Sequence, residues 1–491
     1  MTGYRDSQRL GGGRDRRSTN TLALAVVLAC QLMVVLDGTV IYAALPHLRA
    51  DLRLARADLS WVQNAYMLTF GGFMLLGARI GDILGHRRVF LTASAVFVLA
   101  SSAGGLTQSL HGLLIARGLQ GIAGAFAAPS ALALLMLLFP EGAARVRAIR
   151  LYTAVSGGGS AAGLVLGGVL TDFVSWRWVL FINVPIGALL LMLGPRCLPE
   201  APRDGGHFDA MGALTVTLGT SLLVYGLVRC VPDGAGHPGV LASLIAAGLL
   251  LTTFVLIEKG ARQPITPLSL FANAQRSGAY AGRMLLIGGM LGTFFFLVQY
   301  VQEVLEFSAF RAGLAFLPLS VTQFLMVMYG VPRLMPRLGG KGLLAGGLLI
   351  AASGMVCLSR VNADTEFFAD LALPIMMLGI GTGAALVPLT TAGIAGVAPH
   401  DAGAASGLIN ATHYIGGALG TAVVVFIVDL TLSRAALSRA LTGPALESGA
   451  KAELTHALSV SAATSAAFFV LALLIVLVTI RRPRPRTLPA P

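Results

Sequence analysis

Charged residues are scarce in this sequence, and no long polar stretch is present that would fold as a separate soluble domain. Of its 491 residues, 12% are charged and 56% are hydrophobic, and the mean hydropathy is +0.80. Soluble domains usually carry about 25% charged residues, because their surfaces face water. The composition therefore excludes a soluble protein of this size and indicates a chain that lies in lipid.

Cysteines are also few, and they are not paired along the sequence. Cys30, Cys197, Cys230 and Cys357 are far apart, unlike the paired spacings of metal sites and disulfide frameworks. Histidines and carboxylates likewise form no cluster with the spacing of metal ligands or of a nucleophile and its base. The sequence thus predicts a protein that is not an enzyme and holds no cofactor or metal.

Basic residues exceed acidic ones, which gives a net charge of +13. Such a balance can indicate nucleic-acid binding, but here the arginines lie in short loops and tails rather than on one folded face. Arginine and lysine are enriched in the cytoplasmic loops of membrane proteins. We therefore expect no nucleic-acid partner and place both termini in the cytoplasm, including the basic tail.

Apolar stretches long enough to cross a bilayer, about 20 residues each, follow one another through the chain. The first continues to Leu45 and contains Asp37, so it is a retained span rather than a cleaved signal peptide. We predict an all-α, multi-pass protein of the inner (cytoplasmic) membrane with about fourteen spans. The predicted spans are residues 22–45, 59–80, 88–108, 111–138, 149–171, 178–194, 209–230, 238–257, 279–302, 311–331, 341–360, 368–392, 403–429 and 460–480.

An internal repeat divides these spans into two related halves. One offset aligns Arg79 with Arg333 and Gly85 with Gly339, and such repeats are typical of transporters built from two helical bundles. The mixed-charge segment 431–458 is predicted to form an amphipathic surface helix. The predicted parts are a disordered cytoplasmic N-terminus (1–20), an N-terminal six-helix bundle (21–195), a cytoplasmic linker (196–208), two inserted helices (209–257), a second cytoplasmic linker (258–278), a C-terminal six-helix bundle (279–480) and a basic cytoplasmic tail (481–491).

Asp37 is an acid inside the first span, where a charge costs about 2.5–3.5 kcal/mol on insertion scales. At about 1.5 Å per residue, Asp37 and Arg117 of the fourth span lie about 12 and 10 Å from the outer ends of their spans. A carboxylate that gains and loses an arginine partner changes its affinity for a proton. We predict that this pair couples protons to transport. The alternative is a permanent salt bridge that fixes helix packing.

The short loop 77–90 joins the second and third spans and contains Asp82, Gly85, Arg87 and Arg88. A loop this short makes its two spans neighbours, and Asp82 could contact a helix N-terminus or an arginine of the other half. We predict a conformational-switch loop that stabilises one end state of the protein. A solvated loop acid is the alternative.

Four glycines of the fifth span, Gly159, Gly163, Gly167 and Gly168, allow another helix to approach closely. They are predicted to form a helix-packing motif.

Several polar residues inside the spans are candidates for lining a substrate cavity, although each could instead join helices through hydrogen bonds. Among them His413 lies near mid-membrane, and histidine titrates near neutral pH, so contact with a proton or substrate is one interpretation and packing the other. The candidates are Tyr42, Gln63, Asn64, Gln120, Gln302, Asn410 and His413.

These segments resemble the major facilitator superfamily over nearly the whole chain, and its fourteen-span drug:proton antiporter branch in particular. Residues 36–46 resemble the first-span signature of that branch, and the loop 77–90 resembles the superfamily loop motif. Residues 117–124 are similar to the fourth-span motif, whose arginine is implicated in proton coupling. Residues 159–168 and 175–185 resemble the antiporter motif of the fifth span and its continuation. The resemblance implies a major facilitator fold of two six-helix bundles plus two extra central helices.

The sequence departs from the branch at Tyr42, Ala78, Ile83 and Leu164. Leu164 stands where the antiporter motif has proline after Gly163, so a kink in the fifth span would have to come from glycines.

The residues and the resemblance together predict a monomeric secondary transporter that exports lipophilic, antibiotic-like small molecules by alternating access. Its partners would be the substrate, protons and the lipid bilayer, with the proton gradient as energy source; sodium coupling is left open. One alternative is transport of a single metabolite, such as a siderophore or a self-made antibiotic. Another is a membrane sensor that binds its ligand without moving it.

Overall fold

The computed structural model describes residues 7–54, 56–139, 143–200, 210–234, 236–261, 268–362, 365–397, 402–431 and 448–480. Within these residues every regular element is helical, and three segments are π-helical: Tyr300–Val304, Met326–Gly330 and Phe367–Leu371. The α-helices are α1 (Ser7–Leu52), α2 (Arg56–Leu84), α3 (His86–Leu106), α4 (Leu110–Leu138), α5 (Ala143–Phe173), α6 (Trp178–Phe181), α7 (Asn183–Cys197), α8 (Ala210–Asp233), α9 (Pro238–Gly260), α10 (Ala274–Gln299), α11 (Ala309–Ala315), α12 (Leu317–Leu325), α13 (Val331–Leu358), α14 (Ala372–Gly393), α15 (Ala402–Thr431) and α16 (Ser448–Thr479).

Every predicted span lies on a helical segment of the described chain. Ten helices there are long and apolar enough to cross a membrane, or eleven when the bent pair Trp61–Met74 and Leu76–Leu84 is counted as one span. One of the ten, Ala309–Leu358, covers the two predicted spans 311–331 and 341–360. These spans are separate helices, since Gly339, with φ 70° and ψ 163°, interrupts the helix between them. The predicted all-α membrane fold is confirmed.

Two helix ends differ from the sequence prediction. α1 begins at Ser7, whereas the sequence predicts disorder through residue 20; an existing helix extends at the gain of one hydrogen bond per residue, so it continues beyond the first apolar run. α16 begins at Ser448, and Leu454 and Leu458 are buried, so residues 448–458 belong to the last span and not to a surface helix. The other parts of these predictions lie outside the described residues, as does the basic tail.

Two glycines related by the internal repeat share an unusual backbone conformation. Gly85 has φ 94° and Gly339 has φ 70°, values that residues with a side chain rarely adopt. Gly85 lies between α2 and α3, and Gly339 divides α13. The same tight change of direction at both positions supports the interpretation that the two halves are related.

The chain folds into two compact units. The predicted bundles 21–195 and 279–480 fall mainly into different units. Unit 1 comprises Met1–Ser221, Ala246–Ile265 and Glu306–Leu314, and unit 2 comprises Leu222–Ile245, Thr266–Leu305 and Ala315–Pro491.

In unit 1, α2 and α4 pack backbone against backbone. A Cβ atom on Gly77 of α2 would lie 2.8 Å from the Cα of Phe126, and one on Gly121 of α4 would overlap the carbonyl oxygen of Tyr66. Small residues permit such close crossings in membrane helices. Arg117 lies one turn before Gly121, so this crossing places its side chain against α2.

In unit 2, α10 and α15 cross equally closely. A Cβ atom on Gly416 would lie 2.7 Å from the Cα of Met284, and one on Gly288 would lie 2.7 Å from the carbonyl oxygen of Gly416. The residues that flank Met284 and Gly416 are therefore neighbours across the two helices.

The two inserted helices form a hairpin whose first helix is attached to α2. The Thr217 hydroxyl of α8 donates to the carbonyl oxygen of Gly72 at 2.8 Å. Gly219 of α8 packs against Leu251 of α9. The parts of the insertion up to Ser221 and from Ala246 onward therefore extend the helix packing of unit 1.

Candidate functional site

A buried ion pair joins α1 to α4. Arg117 Nη1 lies 2.6 Å from Asp37 Oδ2, and both side chains are 0% exposed. The depths estimated from the sequence predict this meeting. The close crossing of α2 and α4 brings the guanidinium to the level of the carboxylate.

Three further groups hold Arg117 in place. Its Nε donates to the carbonyl oxygen of Val62 at 3.1 Å, and its Nη1 donates to Gln120 Oε1 at 3.0 Å. The guanidinium carbon lies 4.4 Å from the ring centroid of Tyr66, close enough for a cation–π interaction. Its Nη2 has no hydrogen-bond partner among the described residues. Arg117 is thus fixed to α2 and α4 independently of Asp37.

The second oxygen of Asp37 accepts two amide hydrogen bonds. Gln120 Nε2 and Asn183 Nδ2 each donate to Asp37 Oδ1 at 2.8 Å. Both amides also donate to the Ser101 hydroxyl, at 2.7 Å from Gln120 and 3.4 Å from Asn183. The carboxylate is therefore surrounded by donors from α4 and α7, with α3 behind them.

The polar cluster is closed in this conformation. Asp37 is 1% exposed, and Ser101, Arg117, Gln120 and Asn183 are 0% exposed. Removing two charges from water costs several kcal/mol per ion, which their attraction and added hydrogen bonds offset only in good geometry. Exchange of a proton with water therefore requires the helices around Asp37 to move.

Three of the predicted cavity residues lie near this cluster on α1 and α2. Gln63 Nε2 donates to the carbonyl oxygen of Gly38 at 3.4 Å, next to Asp37. Tyr42 is buried on α1 and lies within electrostatic range of Arg117. Asn64 is 1% exposed, and neither of its amide atoms has a hydrogen-bond partner among the described residues.

The acid of the predicted switch loop interacts with its own segment. Asp82 Oδ2 lies 3.8 Å from Arg79 Nη1, and Asp82 Oδ1 lies 3.2 Å from His86 Nε2. These partners are three and four residues away and so share one face of the chain. Among the described residues the ion-pair partners of Asp82 are therefore local, and one of them, His86, is the first residue of α3.

The basic residues of the loop behave differently from each other. Arg87 lies 3.4 Å from Glu200 Oε1 and also donates to the carbonyl oxygen of Pro195, which ties the loop to the end of α7. Arg88 is exposed. Gly85 supplies the positive φ between α2 and α3.

The glycines of α5 pack against α1 and α11. A Cβ atom on Gly159 would lie 3.2 Å from side-chain carbons of Leu32 and Val35, and one on Gly167 would lie 2.6 Å from the carbonyl oxygen of Val40. Gly163 lies against Thr39, and Gly168 against the start of α11. The predicted packing role fits these contacts, and α5 runs unbroken past Leu164.

An acid of α5 that the sequence did not single out adds to this packing. The Asp172 carboxylate accepts hydrogen bonds from the backbone N–H groups of Ala309 at 3.2 Å and Phe310 at 2.8 Å. It thus caps the first turn of α11 within unit 1.

The candidates of unit 2 lie at different levels. The His413 and Tyr414 rings on α15 are 5.2 Å apart, with Asn410 about one turn earlier. Gln302 lies in the π-helical segment beyond α10, and its Nε2 has no partner among the described residues. The helix α15, which carries His413, crosses α10 at Met284. Gln302 lies about 27 Å from that crossing, measured along α10 and its π-helical continuation at 1.5 Å per residue. The structure does not bring Gln302 and His413 together.

Arg283 is a second arginine inside a span, and the sequence prediction missed it. Its Nη1 donates to Thr390 Oγ1 of α14 at 2.9 Å. It lies within electrostatic range of His413 and Tyr414. Its signal was its position inside the predicted span 279–302.

No metal site accompanies these clusters in the part of the chain that the structure describes. None of its His, Cys, Asp and Glu side chains form a group of three or more placed to hold a metal ion.

Known proteins are similar to this chain along most of its length. Residues 27–421 match the Major Facilitator Superfamily. A puromycin resistance protein of Streptomyces alboniger is 41% identical over 82% of this chain and 80% of its own. A cephamycin export protein of Amycolatopsis lactamdurans is 39% identical, over 87% and 88%. A tetracenomycin C resistance and export protein of Streptomyces glaucescens is 34% identical, over 84% and 76%.

Solved structures share the fold at low sequence identity. A bacterial homolog of the human lysosomal transporter Spinster gives a TM-score of 0.66 at 16% identity, over 95% of this chain and 99% of its own. The xylose transporter from E. coli gives 0.61 at 14% identity, over 96% and 100%. With the family match, the related export proteins and the many apolar helices, this multi-pass membrane protein belongs to the Major Facilitator Superfamily and is a transporter, not an enzyme.

Proposed function

We propose that this protein exports lipophilic, antibiotic-like small molecules across the cytoplasmic membrane in exchange for protons, and that Asp37 carries the proton. The observation that supports the proposal is the enclosed Asp37–Arg117 pair with its amide donors from α4 and α7. It is a titratable group at mid-span with a charged partner that can release it.

Stability alone does not explain the pair. A buried ion pair can often be replaced by apolar residues without loss of stability, because desolvation offsets the attraction between the charges. Charged residues inside membrane spans typically mark ion pathways or proton relays. The contacts that hold Arg117 on α2 and α4 would let the carboxylate of α1 leave while the guanidinium stays in place.

The contacts of Arg117 suggest how protonation would act. A proton on Asp37 removes the negative charge that attracts Arg117. The guanidinium would remain on α2 and α4 through Val62, Gln120 and Tyr66. Protonation would therefore loosen α1 from α4 without displacing Arg117, and loss of the proton would restore the contact. Such a two-state element is what alternating access requires.

The proposed substrate class is supported by the relatives, whose names refer to puromycin, cephamycin and tetracenomycin C. Each name refers to one antibiotic, which favours a second candidate function, export of a single compound. A panel of antibiotics given to an efflux-deficient host that expresses the protein distinguishes the two. Resistance to one compound alone supports the narrow function.

The test of coupling is uptake of ethidium and puromycin into inverted membrane vesicles energised by a proton gradient. Asp37→Asn is expected to reduce gradient-driven transport at least tenfold, because an amide keeps the shape of the site but carries no exchangeable charge. Binding of the same probes to the purified variant should persist, which separates coupling from folding. Full gradient-driven transport by Asp37→Asn would contradict the proposal, as would transport that follows a sodium gradient instead.

Asp51→Asn is the matched control. Asp51 Oδ2 also lies 2.6 Å from an arginine Nη1, that of Arg177, but its side chain is 46% exposed. The same chemical change outside the enclosed cluster should leave transport at the wild-type rate.

We also propose a monomer with both termini in the cytoplasm. Light scattering of the purified protein gives the mass of the particle. A green fluorescent protein fused to the C-terminus should fluoresce, since it matures only on the cytoplasmic side.

A further inference from the structure

Unit 2 contains an arginine within a helix, Arg283, to which no carboxylate of the described residues is bonded. Arg283 lies on α10, which begins at Ala274, so it is about 13 Å along the helix at 1.5 Å per residue. A charged side chain inside a membrane span is costly and usually pairs with another group.

Polar and aromatic groups from two other helices surround Arg283. Its one hydrogen bond within the described residues goes from Nη1 to Thr390 Oγ1 of α14, at 2.9 Å. The crossing of Met284 with Gly416 brings the preceding turn of α15, with His413 and Tyr414, to the same level.

Arg117 and Arg283 differ in their counter-charge. Arg117 has Asp37 at 2.6 Å, whereas no carboxylate of the described residues forms an ion pair with Arg283. Its buried Nε also has no hydrogen-bond partner there. His413 and Tyr414 are neutral or cationic at neutral pH and supply no negative charge.

We infer that Arg283 is an anion-binding group for an amphiphilic molecule, and that it takes a carboxylate, phenolate or phosphate oxygen of that molecule. The inference rests on the proposed function, since it makes the exported compound an acid with an apolar body. The headgroup of an anionic lipid has the same chemistry and is the other source of the anion.

The geometry suits such a ligand. A guanidinium has five N–H donors, and Thr390 accepts from one of them. The donors left over include Nε, and a carboxylate bound by two parallel N–H groups forms one of the stronger hydrogen-bonded pairs in proteins. Arg283 is partly exposed as a residue, whereas its Nε is enclosed, so a two-bond contact through Nε requires the side chain to turn toward the ligand. The adjacent His413 and Tyr414 rings offer apolar faces to the body of the ligand.

The experiment measures binding of two pyrene probes to purified protein in dodecylmaltoside, with no gradient. Pyrenebutyrate and pyrenebutanamide share one apolar body and differ in charge. The wild type is expected to bind the acid about tenfold more tightly than the amide, through charge-assisted hydrogen bonds. Arg283→Gln should abolish this preference and leave the affinity for the amide unchanged. Arg283→Lys should keep part of it, because a point charge cannot make the two-bond contact.

Two control variants separate anion binding from a structural role. Thr390→Val removes the contact to α14 and keeps the charge, so the preference for the acid should persist. Arg360→Gln removes an exposed charge two residues after the end of α13. This variant should bind both probes as the wild type does. If Arg283 only joined α10 to α14, Thr390→Val and Arg283→Gln would each lower the affinity for the acid and for the amide by the same factor. That result would overturn the inference.

Nanodiscs distinguish the two sources of the anion. If phosphatidylglycerol competes with pyrenebutyrate in the wild type but has no effect in Arg283→Gln, the site binds anions and a lipid phosphate is its occupant. If binding is the same in phosphatidylcholine and phosphatidylglycerol discs, the site selects the acid of the exported compound. Equal affinity of the wild type for both probes would refute the site. Asp37→Asn should keep the acid preference, so failure of proton coupling and failure of this inference give different results.

Discussion

Asn183 Nδ2 lies 2.8 Å from Asp37 Oδ1, although the two residues are 146 positions apart in the chain. The contact links α7 to α1 and gives the carboxylate a donor that is not an arginine. It keeps one oxygen of Asp37 bound whatever Arg117 does.

Loss of this donor should weaken the fold. Asn183→Ala leaves a buried carboxylate oxygen with one donor fewer, at a cost of about 1–3 kcal/mol in the free energy of unfolding. The thermal unfolding midpoint of the purified protein in detergent measures the effect. Asn64→Ala is the control, because Asn64 is equally buried but neither amide atom has a partner among the described residues. Equal midpoints for the two variants would argue against a stabilising contact.

Removal of Arg117 alone should destabilise the fold more than removal of both charges of the pair. Arg117→Ala leaves an uncompensated buried charge, which typically costs about 3–5 kcal/mol. In the double variant Arg117→Ala with Asp37→Asn, that charge is gone, so part of the loss should be recovered. Thermal unfolding of both single variants and of the double variant gives the coupling energy. Additive effects would mean that the two side chains do not interact as the 2.6 Å contact implies.

Two glycines of α5 should respond oppositely to alanine. A Cβ atom on Gly167 would lie 2.6 Å from the carbonyl oxygen of Val40, so Gly167→Ala must push α1 and α5 apart, at a cost of about 1–3 kcal/mol. Gly158 has nothing within 4 Å of such an atom, so Gly158→Ala should stabilise the helix by about 0.5–1 kcal/mol. Unfolding midpoints in detergent test both. A Gly167→Ala protein as stable as the wild type would show that the helices adjust without cost.

Gly339 offers a test of backbone conformation alone. A Cβ atom there would meet nothing within 4 Å, but φ is 70°. With ψ at 163°, Gly339 lies in a backbone region that essentially only glycine adopts, so Gly339→Ala should cost about 1–3 kcal/mol from backbone strain and not from a clash. Gly346, in the same helix, also has open space and has no left-handed φ, so Gly346→Ala should be neutral or stabilising. Equal unfolding midpoints for the two variants would contradict this reason for the glycine.

The sequence predicts the fold well because membrane spans depend on local composition. A run of about 20 apolar residues must form a helix in lipid, since no water satisfies its backbone. Helix ends are less predictable: α1 starts at Ser7 and α16 at Ser448, because a helix can continue past the bilayer for as long as no residue stops it. The predicted spans 311–331 and 341–360 already place a break around Gly339, and the structure adds its position and its positive φ.

The candidate site is predictable in part. Asp37 and Arg117 stand out because each is a charge in an apolar span, and helix geometry gives their depths. Ser101 gives no such signal, since a serine in a span usually bonds its own helix. The predicted span begins at residue 279, four residues before Arg283, so Arg283 looks like a residue at the membrane surface. In the structure α10 begins earlier, at Ala274. Which helices are neighbours depends on glycine contacts far apart in sequence.

Closure of the cluster around Asp37 has a kinetic consequence. A carboxylate that is 1% exposed cannot trade its proton through side-chain rotation alone, because donors from α4 and α7 fill its surroundings. With Asp37 as the proposed proton carrier, we expect the slow event in each turnover to be the separation of helices rather than the transfer of a proton. Transport in heavy water should run at nearly the rate seen in ordinary water, while warming should accelerate it steeply.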